Sequence, residues 1–299
     1  MKQLAIIGPT ASGKSKLALD LALAHNAVIL SIDSLSVYTD IDIASAKPNK
    51  DELSLTKHFG IDILRPDETA SVFTFIHEYH RACTYAQENQ KNLIIVGGSS
   101  FYLKSMLDGL SHIPMIDDTV REEASLILQD TQNAHRFLAD IDPPMMSTIA
   151  SNDRYRIEKM LHLYLQTKTL PSQWFKTHPP LSVITDCPIL NIDVERTYLR
   201  QRIALRTQLM LWDGLIDEVA RCEQLYGRSP NSMKAIGMIE TLDYLDGKCS
   251  KETLIQLIST HTAQLAKRQQ TFNTHQFTLT ASKSIPELYS IGETLLQQS

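Results

Sequence analysis

Eight residues near the start of the chain, Gly8-Pro9-Thr10-Ala11-Ser12-Gly13-Lys14-Ser15, make an uninterrupted G-x-x-x-x-G-K-[ST] pattern. Its chemistry is anion binding. Glycines let backbone N–H groups turn inward, and the N-terminus of a following helix favours negative charge. Lys14 adds a full positive charge, and the Ser15 hydroxyl is placed to hold Mg²⁺. A short apolar run, Lys2 to Ile7, precedes the pattern. Ser15 to His25 follows it, with Leu17, Ala18, Leu21 and Ala22 at helical spacing. Strand, loop and helix in that order argue against an accidental glycine turn. The same cradle serves kinases, nucleotide hydrolases and enzymes that bind pyrophosphate esters, so the loop alone fixes no reaction.

Further chemistry belongs at the carboxyl ends of neighbouring strands, where open parallel sheets place their ligands. Asp33-Ser34 ends a second apolar run, Ala27 to Ile32, and Gly97-Gly98-Ser99-Ser100 ends a third, Leu93 to Val96. Between them Val72, Phe75, Ile76, Tyr79 and Cys83 recur at helical spacing, and another helix is expected from about Phe101 to Leu107. Strands alternating with helices predict an α/β fold, a P-loop NTPase-like parallel sheet with helices on both faces. The rhythm stops near Ser111. From Asp117 to Thr169 the patterns are helical only, including Val120–Leu128 and Tyr155–Leu165, and Ile189 to Val194 then reads as a strand again. The expectation is a catalytic core of residues 1–111 and 188–299 with an all-helical insertion at 112–187. Helices are expected at 195–211, 215–225, 233–245 and 251–271, then a strand at Gln276–Leu279 and a final helix.

Composition bounds the partners. The chain has 299 residues, 43% hydrophobic and 21% charged, which is ordinary for a globular protein. No apolar stretch reaches the length of a membrane span and the glycine-rich start does not read as a signal peptide, so a cytoplasmic protein without membrane contact is expected, with a monomer as the default. Cys83, Cys187, Cys222 and Cys249 form no C-x-x-C pair, which argues against zinc or disulfides. A net charge of −5 weighs against a polyanionic partner for the chain as a whole. Local basic clusters run the other way: Arg154, Arg156 and Lys159; Arg196, Arg200, Arg202 and Arg206; Lys267 and Arg268.

Longer segments carry a resemblance. Gly8–Ser15, SIDSLSVYTDIDIASAKP (Ser31–Pro48), IIVGGSSFYLKSMLDGL (Ile94–Leu110) and SNDRYRIEKMLHLYLQT (Ser151–Thr167) resemble, in order and spacing, the tRNA dimethylallyltransferase family. So do RIALRTQLMLWDGLIDEV (Arg202–Val219), KAIGMIETLDYLDG (Lys234–Gly247) and AKRQQTF (Ala266–Phe272). The resemblance implies transfer of a dimethylallyl group from dimethylallyl pyrophosphate to the exocyclic 6-amino group of an adenine at tRNA position 37. It implies Asp33 as general base, Arg206 and the loop Gly8–Ser15 as pyrophosphate ligands, Thr10 near the transferring oxygen, and Mg²⁺ at Ser15. It implies contacts to the tRNA anticodon stem-loop from Asp33, Ser34, Leu35, Ser36, Ser99, Arg121, Asn152, Asp153, Arg154, Arg156, Lys267 and Arg268. Ser99 stands where the family carries threonine, and Phe272 where it carries tryptophan.

Read as residues alone, several of these positions have a second use. Asp33 is also placed to hold Mg²⁺ through water, and Arg206 to form a surface ion pair. Ser99 suits a strand-end cap, Asn152-Asp153-Arg154 a helix cap, and Lys267-Arg268 a helix C-terminus. The competing functions are a small-molecule kinase binding ATP, an adenylate prenyltransferase, and a non-catalytic RNA-binding switch. The first leaves the Asp33–Pro48 segment without a purpose. The second does not require a helical insertion, and the third leaves Asp33 and Arg206 unexplained.

Overall fold

The computed structural model describes residues 1–297. By contacts it divides into two units, residues 1–107 with 184–299, and residues 108–183.

The first unit is built on a six-stranded parallel sheet. Its strands are β1 (Gln3–Ile7), β2 (Ala27–Ser31), β3 (His58–Phe59), β4 (Asn92–Gly97), β5 (Ile189–Ile192) and β6 (Ala281–Lys283). Their spatial order is β3-β2-β4-β1-β5-β6. Leu4 to Ile7, Val28, Leu30 and Leu93 to Ile95 are fully buried or nearly so, as strands covered on both faces must be. Helix α1 (Lys14–Ala24) packs Leu17, Ala18, Leu21 and Ala22 on one face of the sheet, beside Leu288 and Leu296 of α14 (Ile285–Gln297). Helix α3 (Val72–Glu88) places Phe75, Tyr79, Ala82 and Ala86 in the core. Register aligns the functional rim: Ile7 pairs with Gly97, and Ser31 with Val96. A Cβ on Gly97 would stand 2.6 Å from Ile32 Cγ1 and 2.8 Å from its carbonyl carbon. Only glycine lets these two strand ends converge so closely.

Three short elements were not legible from hydrophobic pattern: α2 (Lys50–Leu55), β3, and the separation of a 3-10 turn (Asn231–Lys234) from α12 (Met238–Leu245). The expected single helix 233–245 breaks because Gly237 sits at φ 95°, outside helical geometry. The expected strand at 276–279 is a second correction. Helix α13 (Lys251–Gln276) continues to Gln276, and the strand forms at Ala281–Lys283, where Thr280 Oγ1 accepts from the Ile189 N–H at 3.0 Å and seeds the pairing with β5. The remaining helices of this unit are α4 (Ser100–Asp108), α10 (Arg196–Trp212) and α11 (Leu215–Tyr226).

The second unit is all-helical: α5 (Asp118–Ile127), α6 (Thr131–Ile141), α7 (Pro143–Met146), α8 (Arg154–Thr167) and α9 (Pro171–Thr177). Ala124, Leu128, Ala134, Leu138, Ile157 and Leu161 form its own core. Its bounds fall four residues earlier at each end than the 112–187 read from sequence. Leu110 bridges Leu181, closing the unit, whereas the Ile184 N–H donates to the Met106 carbonyl and so returns the chain to the core.

Candidate active site

The glycine-rich loop leaves β1 and turns through two residues of positive φ, Ala11 at 63° and Gly13 at 96°, before α1 begins at Lys14. Such alternation points successive N–H groups into one concavity, a nest for an anion. Lys14 is partly buried, and that burial pulls its ammonium down to about 8, with Arg206 pushing the same way and Asp33 opposing. Arg206, from α10, is likewise lowered by burial and held up by Asp33. A cationic pair kept short of water is what a multiply charged anion would stabilise.

Asp33 stands just past β2. Its Oδ1 accepts from the Leu35 and Ser36 N–H groups at 2.9 and 3.3 Å, which fixes the carboxylate at the strand end. Ser99 Oγ accepts from the Ser34 N–H at 3.1 Å, so it ties the loop after β4 to the loop after β2. Two cavities meet at these groups. The smaller, about 290 Å³, is lined by Lys14, Ser15, Ser36, Lys47 and His58; the larger, about 610 Å³, by Ser34, Leu35, Ser99, Tyr102, Arg268 and Phe272. Thr10, Asp33, Ser45 and Arg206 border both. The smaller therefore brings a cationic wall to the phosphate loop, and the larger adds apolar Ile203, Met210, Ile258 and Leu265.

The segment flanking this junction is held from behind. Glu218 of α11, buried, accepts from the N–H groups of Asp42, Ile43 and Ala44 at 2.9, 2.8 and 2.9 Å. Lys47 Nζ spans Asp42 and Asp62 at 2.6 and 2.5 Å, so its charge is committed to the loop and not to a ligand.

The other positions separate. Gly8, Pro9, Ala11, Ser12 and Gly13 shape the loop without lining either cavity. Lys267 faces a different groove, about 420 Å³, with Arg196 and Arg200. Lys267 and Arg268 lie mid-helix, since α13 runs on to Gln276; the helix-end reading of this pair does not hold. Arg121, Asn152, Asp153, Arg154 and Arg156 belong to the helical unit. There Asp153 caps α8 by accepting from the Arg156 N–H at 3.1 Å, Arg154 donates to the Leu128 carbonyl, and Arg121 lies 3.7 Å from Asp118. Sequence reasoning passed over Gln269, which bonds the phosphate loop directly, and Tyr102, Ile203, Met210 and Leu265. The spacing 258, 262, 265, 269, 272 on α13 was the available signal for one cavity wall.

The fold and this rim define a P-loop protein in which a carboxylate faces a lysine and an arginine beside the phosphate cradle. A family model described as IPP transferase matches residues 36–276. A tRNA dimethylallyltransferase of Sulfurimonas denitrificans is 52% identical over 291 residues, 97% of this chain and 98% of its own. One from a Sulfurovum species is 50% identical over 292 residues, 97% of each. Among solved structures, a tRNA isopentenylpyrophosphate transferase from Staphylococcus epidermidis superposes with TM-score 0.69 at 29% identity, covering 98% of both chains. A eukaryotic dimethylallyltransferase solved acting on tRNA gives TM-score 0.79 at 26% identity, over 91% of this chain and 70% of its own. The chain belongs to the IPP transferase family.

Proposed function

We propose that the protein transfers a dimethylallyl group from dimethylallyl pyrophosphate to the exocyclic 6-amino group of adenine 37 in tRNA. The observation that carries this reading is the place of Asp33, at the border of two cavities and flanked by Lys14 and Arg206. In the reaction the amine nitrogen bonds to the prenyl C1 as the C1–O bond breaks. The bonding pair leaves with pyrophosphate, and the amine proton passes to the Asp33 carboxylate, since a neutral exocyclic amine is a weak nucleophile. Lys14, Arg206 and the loop amides meet the charge that grows on the leaving group. Thr10 and Arg206, at the border, orient the bridging oxygen.

The purine must leave the anticodon stack to reach such a site. The larger cavity, with an apolar wall and Ser34, Ser99 and Arg268 at its polar positions, suits a flipped base attached to its backbone. Mg²⁺ fits the donor set available: Ser15 lines the smaller cavity, its hydroxyl is a hard oxygen ligand, and pyrophosphate oxygens would complete the shell. When bound, the ion would neutralise pyrophosphate charge. The helical unit 108–183 carries Arg121, Arg154 and Arg156 and is proposed to grip the tRNA stem. Asn152 and Asp153 act there by shaping the start of α8.

Labelled dimethylallyl pyrophosphate offered with unmodified tRNA and with AMP tests the reading. Label in tRNA alone, lost in Asp33→Ala, is expected. Label in AMP would assign a nucleotide acceptor, and ATP turnover without label would assign a kinase.

A further inference from the structure

The phosphate loop is not held by its own strand and helix alone. Gln269, on α13, accepts through Oε1 from the Thr10 N–H at 2.8 Å and donates through Nε2 to the Gly98 carbonyl at 2.7 Å. A backbone N–H can only donate and a carbonyl only accept, so both ends of the amide are assigned without ambiguity. One side chain thus joins the loop after β1 to the loop after β4. Thr10 is also the residue whose hydroxyl accepts from Arg206 at 3.1 Å. Gly98 is equally confined: a Cβ there would stand 2.8 Å from Gln269 Nε2 and 3.5 Å from Lys14 Nζ. The amide bonds two groups of the cradle, Thr10 and Gly98, and Lys14 Nζ lies near Gly98. The neighbouring α13 residues Leu265, Arg268 and Phe272 wall the larger cavity.

We propose that Gln269 is a positioning residue that sets the pyrophosphate cradle by fixing Thr10 against Gly98, and that it links the wall of the larger cavity to that cradle. The catalytic part of this inference rests on the prenyl-transfer reading; the pyrophosphate-binding part does not. Gln269 spends both of its hydrogen-bonding ends on backbone and so acts through Thr10 and Gly98. Losing both bonds releases the Thr10 N–H and lets Thr10 drift from Arg206, which weakens the grip on pyrophosphate before it changes fold.

Two variants of similar volume separate positioning from packing. Gln269→Leu keeps the bulk and loses both bonds. Gln269→Glu keeps the acceptor for Thr10 but, when ionised, cannot donate to Gly98; its protonated form restores a donor and an acceptor in the places the amide had them. Titration with inorganic pyrophosphate by calorimetry should show affinity about tenfold weaker or more in Gln269→Leu, the scale of one to two lost hydrogen bonds. The rate of Gln269→Glu relative to wild type should rise as pH falls from about 6 to about 4, because nearby cations hold a glutamate ionised down to or below its ordinary range. Gly98→Ala, whose added Cβ would press on the Gln269 Nε2 at 2.8 Å, should reproduce the loss of pyrophosphate affinity. Pyrophosphate affinity within twofold of wild type in all three variants, or a pH-independent rate ratio for Gln269→Glu, would overturn the proposal. Should wild type transfer no prenyl group, the reaction reading fails while the pyrophosphate titrations still decide the role of Gln269.

Discussion

Arg206 reaches from α10 to the phosphate loop, where its Nη1 donates to the Thr10 hydroxyl at 3.1 Å. The rest of the guanidinium fork has no hydrogen-bond partner among the described residues, so most of its donors are open to an anion. Arg206→Lys keeps the charge and gives up the planar fork, and the two are not equivalent where bidentate contact matters. Steady-state kinetics should show kcat/KM for dimethylallyl pyrophosphate falling about a hundredfold, the range seen when one preorganised donor is lost. Thr10→Val, which removes only the hydroxyl, should fall by about fivefold. Equal effects from the two would show that Arg206 acts only by holding the loop.

Asp33→Asn retains an oxygen for the Leu35 and Ser36 N–H groups while removing the base. Single-turnover transfer is expected to drop about 10²- to 10⁴-fold. Pyrophosphate affinity should hold or improve, because a negative charge near the anion has gone. A variant that transfers at the wild-type rate would remove Asp33 from proton transfer.

Lys14 supplies the pH prediction. Its amine is lowered to about 8 from 10.5, mainly by burial. In the free protein it loses its charge as pH rises through about 8, so pyrophosphate affinity should fall above that point. Stability moves oppositely. Between about 8 and 10.5 the unfolded chain binds the extra proton, and this group's contribution to stability rises with pH across that window. Calorimetry across the window should show the affinity decline in wild type and its absence in Lys14→Met.

Glu218 serves three backbone donors with two oxygens, inside the core. Glu218→Gln turns one acceptor into a donor facing N–H groups. A loss of about 1–3 kcal/mol is expected, the penalty for buried donors left unmet. Urea melts would show a lower midpoint at unchanged slope, and an unchanged midpoint would mean that the 42–44 segment finds other acceptors.

Two glycines should answer differently to alanine. At Gly97 the added Cβ meets Ile32 backbone within 2.8 Å, and backbone at a strand end does not step aside; about 1–3 kcal/mol should be lost. At Gly292 the obstacle is the end of the buried Leu21 side chain, its methyls at 2.7 and 3.2 Å, which gives way more readily than backbone, and α14 gains a better helix former. Gly292→Ala should stay within about 1 kcal/mol of wild type by the same melts.

The parts legible in the sequence are those that hydrophobic period and glycine spacing encode. The strands β1, β2 and β4 are continuous apolar runs, and Gly8–Ser15 sits between a strand and a helix as expected. What escaped is held by polar side chains across long separations. Gln269 and Thr10 are 259 residues apart, and Glu218 and Ala44 are 174 apart. Nothing local to either position announces its partner. The edge strand Ala281–Lys283 has no apolar alternation, because it is defined by backbone bonding to β5. Helix α13 outran its expected end at 271 because Phe272 and Asn273 pack inward, with Asn273 fully buried and donating to Asn191.

The order of strands has a consequence for how the chain is made. β1 lies between β4 and β5, and β5 is encoded beyond the helical unit. Until residue 192 leaves the ribosome, Leu4 to Ile7 form a bare sheet edge with unpaired N–H and C=O groups, a template for pairing with other chains. Arg206 and Gln269 come later still. A nascent chain can therefore assemble its glycine loop long before it owns the residues that hold it, and the interval is when a ribosome-associated chaperone would matter most.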